Sequence, residues 1–300
     1  MSLSDRVPIS SVVLTYNEQA NLAPCMESLV GWASELFVVD SGSTDGTRHI
    51  AERYGAHVIE HPFETHARQW QWALTHVPFQ HAWILALDAD QRLTSELKQE
   101  IDALFRGEAD RLRGIDGIYL NRRQIFRGRW IRHGGYYPKY LLKLFRRDRV
   151  HVDERELIDH HFYVSGRTRT LRHDLIEENL KESDIRFWIE KHNRYAALQA
   201  RVDAFGPSDR AVAPRMFGTP DERTAGLKLA WDRLPLYLRP FLYFCYRYVV
   251  RLGFLDGKQG FVFHVLQAFW YRLLIDIHLD DLRRQRRSAL VIEASKARNK

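Results

Sequence analysis

The feature that most constrains the fold is a regular alternation of short apolar runs and helical patterns through residues 9–90. The apolar runs are of strand length and rich in β-branched residues; they are Ile9–Thr15, Leu36–Asp40, Val58–Ile59 and Trp83–Leu87. Apolar residues at helical spacing lie between them, as in Leu22–Val30 and Ala67–His76. Strands that alternate with helices predict parallel βαβ units, and therefore an α/β fold.

Three of these strands end in polar clusters, which are Thr15–Glu18, Asp40–Gly42 and Asp88–Asp90. In open parallel sheets, ligands bind beyond the carboxyl ends of the strands. We therefore expect the three clusters to meet on one rim and to form a binding site. The alternative is that each cluster is ordinary helix-cap chemistry.

Several functional classes are excluded or disfavoured. The chain has no G-x-G-x-x-G after a strand and no G-x-x-x-x-G-K-[ST], which disfavours dinucleotide dehydrogenases and P-loop NTPases. Its two cysteines predict neither a disulfide framework nor a zinc site. The net charge of +7 indicates an anionic partner such as nucleotide phosphates, acidic lipid or nucleic acid. The polar N-terminus lacks a signal-peptide pattern, so we expect a cytoplasmic location.

The Asp88-Ala89-Asp90 sequence predicts a divalent metal site. Mg²⁺ and Mn²⁺ prefer oxygen ligands and can bridge phosphate oxygens while taking only one or two carboxylates from the protein. We expect Asp90 to bind the metal and Asp88 to hold sugar or ribose hydroxyls. The combination points to a nucleotide-sugar, whose diphosphate must be neutralised as it departs.

Three motifs together resemble glycosyltransferase family 2; they are Val12–Glu18, Val38–Thr47 and Trp83–Asp90. This resemblance implies the GT-A fold, which is a Rossmann-like, mostly parallel sheet flanked by helices, and a reaction that inverts the anomeric centre. Further segments are similar to the bacterial branch that contains the lipopolysaccharide inner-core β-1,4-glucosyltransferases; they are Asn121–Ile131, Gly134–Pro138, Leu144–Arg147 and Gly253–Gly257. That branch implies a UDP-sugar donor, with a hexose such as glucose, and a lipid-linked or lipopolysaccharide acceptor.

The resemblance also implies roles for individual residues. The donor-binding set is Thr15, Tyr16, Asn17, Glu18, Asp40, Ser41, Arg68, Asp88 and Arg194. The metal set is Asp90, Asp88 and His173, where His173 is alternatively a structural histidine. Two departures from the family pattern concern the donor site: Trp70 and Gln71 replace a basic residue and an asparagine, and Gln91 replaces a glutamate.

Inverting transfer needs one general base to deprotonate the acceptor hydroxyl. By its spacing from Gly166, Asp159 falls where the resembling branch has its catalytic glutamate. Asp153 and Glu154 are the rival candidates. Each carboxylate is alternatively a surface charge.

The domain prediction is a catalytic domain over 1–203, a linker over 204–233 and a C-terminal amphipathic helical region over 234–300. Apolar residues of that region are interrupted by arginines, which is typical of helices that lie in a membrane interface. Arg283–Arg287 adds a basic cluster. We expect peripheral attachment at the anionic inner face of a bacterial plasma membrane, and no nucleic-acid partner, because no recognisable module accompanies the arginines. The alternative is a helical hairpin packed on the catalytic domain.

The sequence is also compatible with two other functions. One is a nucleotidyltransferase on the same fold, although the chain lacks the glycine-rich basic loop that this chemistry needs near its first strand. The other is a catalytically weakened nucleotide-sugar-binding or assembly protein, in which the changes at Trp70, Gln71, Gln91 and Asp159 have disabled catalysis.

Overall fold

The computed structural model describes residues 6–107, 112–155, 158, 160–205, 226, 231 and 233–298. The chain forms two compact units. The first contains the described residues of Met1–Arg132 and Tyr136–Ser183, and the second contains those of Asp184–Lys300 together with the short segment His133–Gly135.

A nine-stranded sheet with the order β3-β2-β1-β4-β8-β6-β11-β5 is the centre of the first unit, and β7 pairs with β6 outside this path. Its strands are β1 Val7–Thr15, β2 Ala33–Asp40, β3 His57–Glu60, β4 Trp83–Asp88, β5 Gln91–Leu93, β6 Ile115–Phe126, β7 Arg129–Trp130, β8 Tyr140–Arg146 and β11 Arg167–Glu178. A separate ribbon pairs β9 Val150–Val152 with β10 Phe162–Val164. The four strands predicted from the sequence are β1 to β4, which are confirmed.

The sheet is parallel in its N-terminal half and mixed beyond it. The β3, β2, β1 and β4 strands run parallel. The β8 strand is antiparallel to both β4 and β6, and β11 returns parallel to β6. The α/β fold is therefore confirmed.

Helices cover both faces of the sheet because β1 to β4 are apolar on both sides. The helices of this unit are α1 Leu22–Leu29, α2 Thr47–Arg53, α3 His66–His76 and α4 Ser95–Arg106. Apolar residues of α1, α2 and α4 pack with Val13 and Leu85 on one face. Those of α3 pack with Val12 and Ile84 on the other, together with Val152 of β9.

The second unit is helical. It contains α5 Ile185–Phe205, α6 Leu238–Cys245, α7 Gly257–Phe263 and α8 Tyr271–Arg298, with π-helical turns over Tyr246–Val250 and His264–Trp270. Ala196 and Ala200 of α5 pack against Tyr271 and Ile275 of α8. Within the described residues, one helical stretch, Gly253–Ala289, is long and apolar enough to cross a membrane, and 33% of its apolar window is buried. A core helix of a soluble protein can have the same length and composition.

The predicted domain limits differ from this division. Contacts group α5 with the C-terminal helices, whereas the sequence pattern assigned residues up to 203 to the catalytic domain. The reason is the small-residue face of α5, on which α8 packs. Most of the predicted linker, 204–233, lies outside the described residues.

Candidate active site

The carboxyl ends of β1, β2 and β4 lie side by side. Thr15 pairs with Asp40 across β1 and β2, and Leu14 pairs with Asp88 across β1 and β4. The predicted meeting of the three polar clusters on one rim is therefore confirmed.

Asp40 is fully buried and anchors the loop after β2. Its carboxylate accepts hydrogen bonds from Thr15 Oγ1 at 2.8 Å, Ser43 Oγ at 2.6 Å, and the backbone N–H groups of Ser43 at 2.8 Å and Gly42 at 3.1 Å. Gly42 has φ 82°, which a residue with a Cβ rarely adopts. In this conformation the Asp40 carboxylate fixes the loop after β2 through these hydrogen bonds. A contact between Asp40 and a nucleoside stays a prediction.

A second set of hydrogen bonds ties the loop after β1 to the loop after β2. Asn17 N–H donates to Ser43 Oγ at 2.8 Å, and Glu18 N–H donates to Thr47 Oγ1 at 2.7 Å. Asp45 accepts from the N–H groups of Gln19 and Thr47. Although partial burial raises its pKa, these bonds and that from the Thr47 hydroxyl outweigh it and lower the pKa of Asp45. The loops after β1 and β2 are therefore joined into one hydrogen-bonded unit at the rim.

Tyr16 and Ser41 also lie on this rim. Tyr16 is exposed, with its side chain at the surface. Ser41 Oγ accepts a hydrogen bond at 3.2 Å from Nε2 of the buried Gln69, whose Oε1 lies 2.8 Å from His61 Nδ1. Gln69 thus holds α3 to the rim.

Asp88 forms an ion pair with Lys143 of β8. The distance from Lys143 Nζ to Asp88 Oδ2 is 2.9 Å, and the side chains are 5% and 32% exposed. Burial by itself raises the pKa of Asp88, but the Lys143 charge, nearby His160, the Lys143 hydrogen bond and His66 hold it well below the usual range. Asp88 is therefore a carboxylate at neutral pH. The sequence motifs do not include Lys143, although a single lysine within the apolar run Leu141–Phe145 indicates a buried charge that needs a partner.

Asp90 belongs to a network that reaches the loop after β1. Asn179 Nδ2 donates to Asp90 Oδ2 at 3.2 Å, and Asn21 Nδ2 donates to Asn179 Oδ1 at 3.2 Å. Asn21 Nδ2 also donates to Glu18 Oε2 at 2.6 Å, and Lys181 Nζ lies 2.6 Å from Glu18 Oε1. Glu18, predicted to bind the donor, thus links that loop to Asp90. Asn179 and Lys181 were missed because they follow β11, far from the motifs.

Gln91 is buried, and its amide is used as both acceptor and donor. Its Oε1 accepts from Asp88 N–H at 3.1 Å, and its Nε2 donates to Glu177 Oε2 at 2.8 Å. Glu177 Oε1 accepts in turn from Arg122 Nη1 at 2.9 Å. A glutamate at position 91 would bring two carboxylates together, so this departure from the family pattern has a local structural reason.

The structure places the candidate bases in different settings. Asp153 accepts two side-chain hydrogen bonds from Arg155, both at 2.8 Å, and these bonds lower its pKa. Glu154 lies 3.9 Å from Arg68 Nε in an exposed pair, and Arg68 also pairs with Glu64. Asp159 lies outside the described residues. In this conformation Asp153 is a poor proton acceptor, because its carboxylate is neutralised by the guanidinium.

His173 is not part of the Asp88–Asp90 cluster, and the predicted contact of Arg194 with the donor stays a prediction. His173 Nδ1 lies 2.8 Å from Glu100 Oε2 of α4, and its backbone N–H also donates to Glu100. Among the described residues, no three His, Cys, Asp or Glu side chains form a group that could hold a metal. His173 is therefore not a third ligand here, because β11 passes α4 at this point. Arg194 is an exposed residue of α5 in the second unit.

Known proteins resemble this chain in sequence. The model of Glycosyl transferase family 2 matches residues 10–176. The lipopolysaccharide core biosynthesis glycosyltransferase LpsC of Rhizobium meliloti is 29% identical over 212 residues, which are 65% of this chain and 71% of that protein. An uncharacterised glycosyltransferase of Rickettsia typhi is 38% identical over 97 residues, 32% of each chain. The chain spans about a third of the length of the Rickettsia relatives that it matches.

Solved structures also match. Residues 1–349 of Staphylococcus aureus TarS are 16% identical, with 94% of this chain and 91% of that chain covered and a TM-score of 0.43. Glucosyl-3-phosphoglycerate synthase of Mycobacterium tuberculosis, crystallised with Mn²⁺, UDP and glucosyl-3-phosphoglycerate, is 25% identical, with 42% and 46% covered and a TM-score of 0.29. The family match spans more than half of the 300 residues and ends within the β11 strand of the sheet just described. The chain therefore belongs to glycosyltransferase family 2 and has its GT-A fold.

Proposed function

We propose that this protein is an inverting hexosyltransferase that moves a sugar from a UDP-sugar to a lipid-linked or lipopolysaccharide-core glycan. The observation that carries the proposal is the ionised Asp88 beside Asp90 at the end of β4, next to the ordered loops after β1 and β2. The name of the relative LpsC supports the acceptor class. The cell envelope is then the place of action, at the cytoplasmic face of the plasma membrane.

As metal ligands, Asp88 and Asp90 fit Mg²⁺ or Mn²⁺, because both are carboxylates that lie at a strand end and these ions prefer oxygen ligands. When bound, the metal would neutralise the diphosphate as it leaves. Lys143 and Asn179 each orient one of the two carboxylates from a neighbouring strand or loop. His173 takes no part in this assignment.

The loops of Thr15–Glu18 and Asp40–Ser41 hold the nucleoside in this proposal, and Arg68 faces the phosphates. Asp159 acts as the single base that takes the acceptor proton, and Glu154 is the first alternative. Asp153 would have to leave Arg155 before it could accept a proton.

A panel of UDP-sugars tests this function. The purified protein is incubated with each sugar, with and without a lipopolysaccharide-core acceptor, in Mn²⁺ or EDTA, and UDP release is measured. Acceptor-stimulated, metal-dependent release supports the proposal. UDP binding without turnover would favour the assembly protein instead, and pyrophosphate formation from UTP and a sugar phosphate would favour the nucleotidyltransferase.

A further inference from the structure

The second unit carries an exposed apolar stripe. Along α6 and the following π-turn, exposed large apolar residues recur at helical spacing; they are Leu238, Phe241, Leu242, Tyr246, Val249 and Val250. Val250 is the most exposed of them, at 67%. Contiguous apolar surfaces of this kind mark interaction sites in soluble proteins.

The stripe ends in a turn that is equally apolar. We call residues 249–255 the apolar tip; its exposed apolar members are Val249, Val250, Leu252, Phe254 and Leu255. Leu252 has φ 59°, a left-handed conformation that is strained for a residue with a Cβ. The Leu252 side chain is 46% exposed.

The segment His133–Gly135 holds the apolar tip in place. Gly134 N–H donates to Arg251 O at 2.9 Å, and Arg247 Nη1 donates to Gly134 O at 2.7 Å. His133 N–H donates to Asp256 Oδ2 at 2.9 Å, and its Nδ1 lies 2.7 Å from Asp256 Oδ1. These hydrogen bonds therefore fix the conformation of the turn that carries the exposed apolar residues.

Within residues 238–258, the exposed charged side chains are positive. Residues 238–258 contain four basic residues, which are Arg239, Arg247, Arg251 and Lys258, and one acidic residue, Asp256. Arg251 and Lys258 are exposed, whereas Asp256 is buried. Apolar side chains flanked by exposed cations match the headgroup and acyl boundary of an anionic bilayer.

We propose that the apolar tip, with the stripe of α6, inserts into an anionic lipid surface. This inference rests on the membrane location proposed above and names the residues that make the contact; the transfer chemistry plays no part in it. The insertion would keep the enzyme beside an acceptor that stays in the membrane.

Vesicle co-sedimentation of the full chain tests the insertion. The variants are Val250→Asp and Phe254→Asp in the apolar tip, and Val30→Asp is the matched control, because Val30 is also exposed, at 45%, but lies in the first unit. On vesicles of equal parts phosphatidylglycerol and phosphatidylcholine, each tip variant should bind about tenfold more weakly than the wild type, because a charge replaces an inserted apolar group. Val30→Asp should bind as the wild type does.

Charge gives a second readout. Lys258→Glu should weaken binding to the anionic vesicles and leave the weak binding to pure phosphatidylcholine unchanged. Two results would overturn the insertion: wild-type vesicle binding by both tip variants, or a solution dimer that Val250→Asp dissociates, which would make this surface an interface between copies. Wild-type protein that resists extraction by alkaline carbonate would also overturn it, in favour of a spanning helix.

Each variant is checked for UDP binding and its melting temperature. Should one tip variant fail to fold, Leu255→Ser replaces it, because Leu255 is 49% exposed and belongs to none of the core clusters of the described residues. Loss of vesicle binding with UDP release intact supports the insertion alone. Intact vesicle binding without UDP release counts against the transferase and leaves the insertion standing.

Discussion

The ammonium group of Lys143 lies 2.9 Å from a carboxylate oxygen of Asp88, although 55 residues separate them in sequence. Lys143 is buried in β8 and Asp88 ends β4, and these strands are antiparallel neighbours. The ion pair thus joins the Asp88–Asp90 motif to the centre of the sheet, lowers the pKa of Asp88 and orients its carboxylate.

Removal of Lys143 should weaken the donor site. In Lys143→Met, we expect Mn²⁺ and UDP to bind about tenfold to a hundredfold more weakly, because a carboxylate that has lost its orienting partner binds metal poorly. Isothermal titration calorimetry measures both affinities. Lys143→Arg should restore part of the loss.

The control for that change is Arg146→Met, on the same strand. Arg146 pairs with Asp148 at 3.7 Å and its guanidinium lies 6.0 Å from the centre of the Trp83 ring. Neither contact involves Asp88, so the loss of Arg146 should leave both affinities unchanged. Wild-type affinities in Lys143→Met would contradict the orienting role.

Replacement of the proposed base should separate binding from chemistry. Asp159→Asn should lower kcat by about 10²–10⁴, because an amide cannot accept the acceptor proton, while the affinity for UDP stays the same. Steady-state kinetics with a saturating donor provides the measurement. Asp153→Asn is the comparison and should have a small effect, since Arg155 already neutralises that carboxylate. Near-normal turnover in Asp159→Asn would rule the assignment out.

Substitution of Gly134 should destabilise the second unit. A Cβ at this position would lie 2.0 Å from Cε1 of the buried His264, and Gly134 has φ 70°. Gly134→Ala should therefore lower the free energy of unfolding by about 2–4 kcal/mol. Gly128→Ala is matched in backbone conformation, at φ 75°, but has no atom within 4 Å, so it should lose only about 1 kcal/mol. Urea denaturation compares the two, and equal losses would show that His264 does not restrict the site.

Burial of His264 should make stability depend on pH. Burial lowers the pKa of His264 to about 4, and Arg247 acts in the same direction against the opposing effect of Asp256. In the unfolded chain the histidine becomes protonated near pH 6.5, whereas in the folded protein it stays neutral down to about pH 4. The free energy of unfolding is therefore highest above pH 6.5. It falls as the pH drops towards 4, by at most about 1.4 kcal/mol per pH unit. His264→Gln should flatten this slope, whereas His49→Gln, a change at an exposed histidine of α2, should not. Urea midpoints between pH 4.5 and 7.5 test this, and equal slopes in the wild type and His264→Gln would contradict it.

The fold and the family were readable from local patterns. Short apolar runs and helical spacing identified β1 to β4 with the helices between them, and their alternation required a parallel sheet with its ligand rim at the carboxyl ends. Asp88 and Asp90 could be placed on that rim for the same reason. Chain order and residue type were sufficient, because these features depend on neighbours in sequence.

Only the tertiary structure decided which side chains support the rim. The strand order places β8 beside β4 and the end of β11 near β5, and nothing in a local pattern specifies either neighbour. Lys143 reaches Asp88 through the first of these arrangements, and Asn179 reaches Asp90 across 89 residues through the second. The packing of β11 on α4 likewise brings His173 to 2.8 Å from Glu100. The sequence by itself determined where the carboxylates lie along the chain, whereas long-range strand pairing determined their partners, because such pairing depends on packing of the whole sheet.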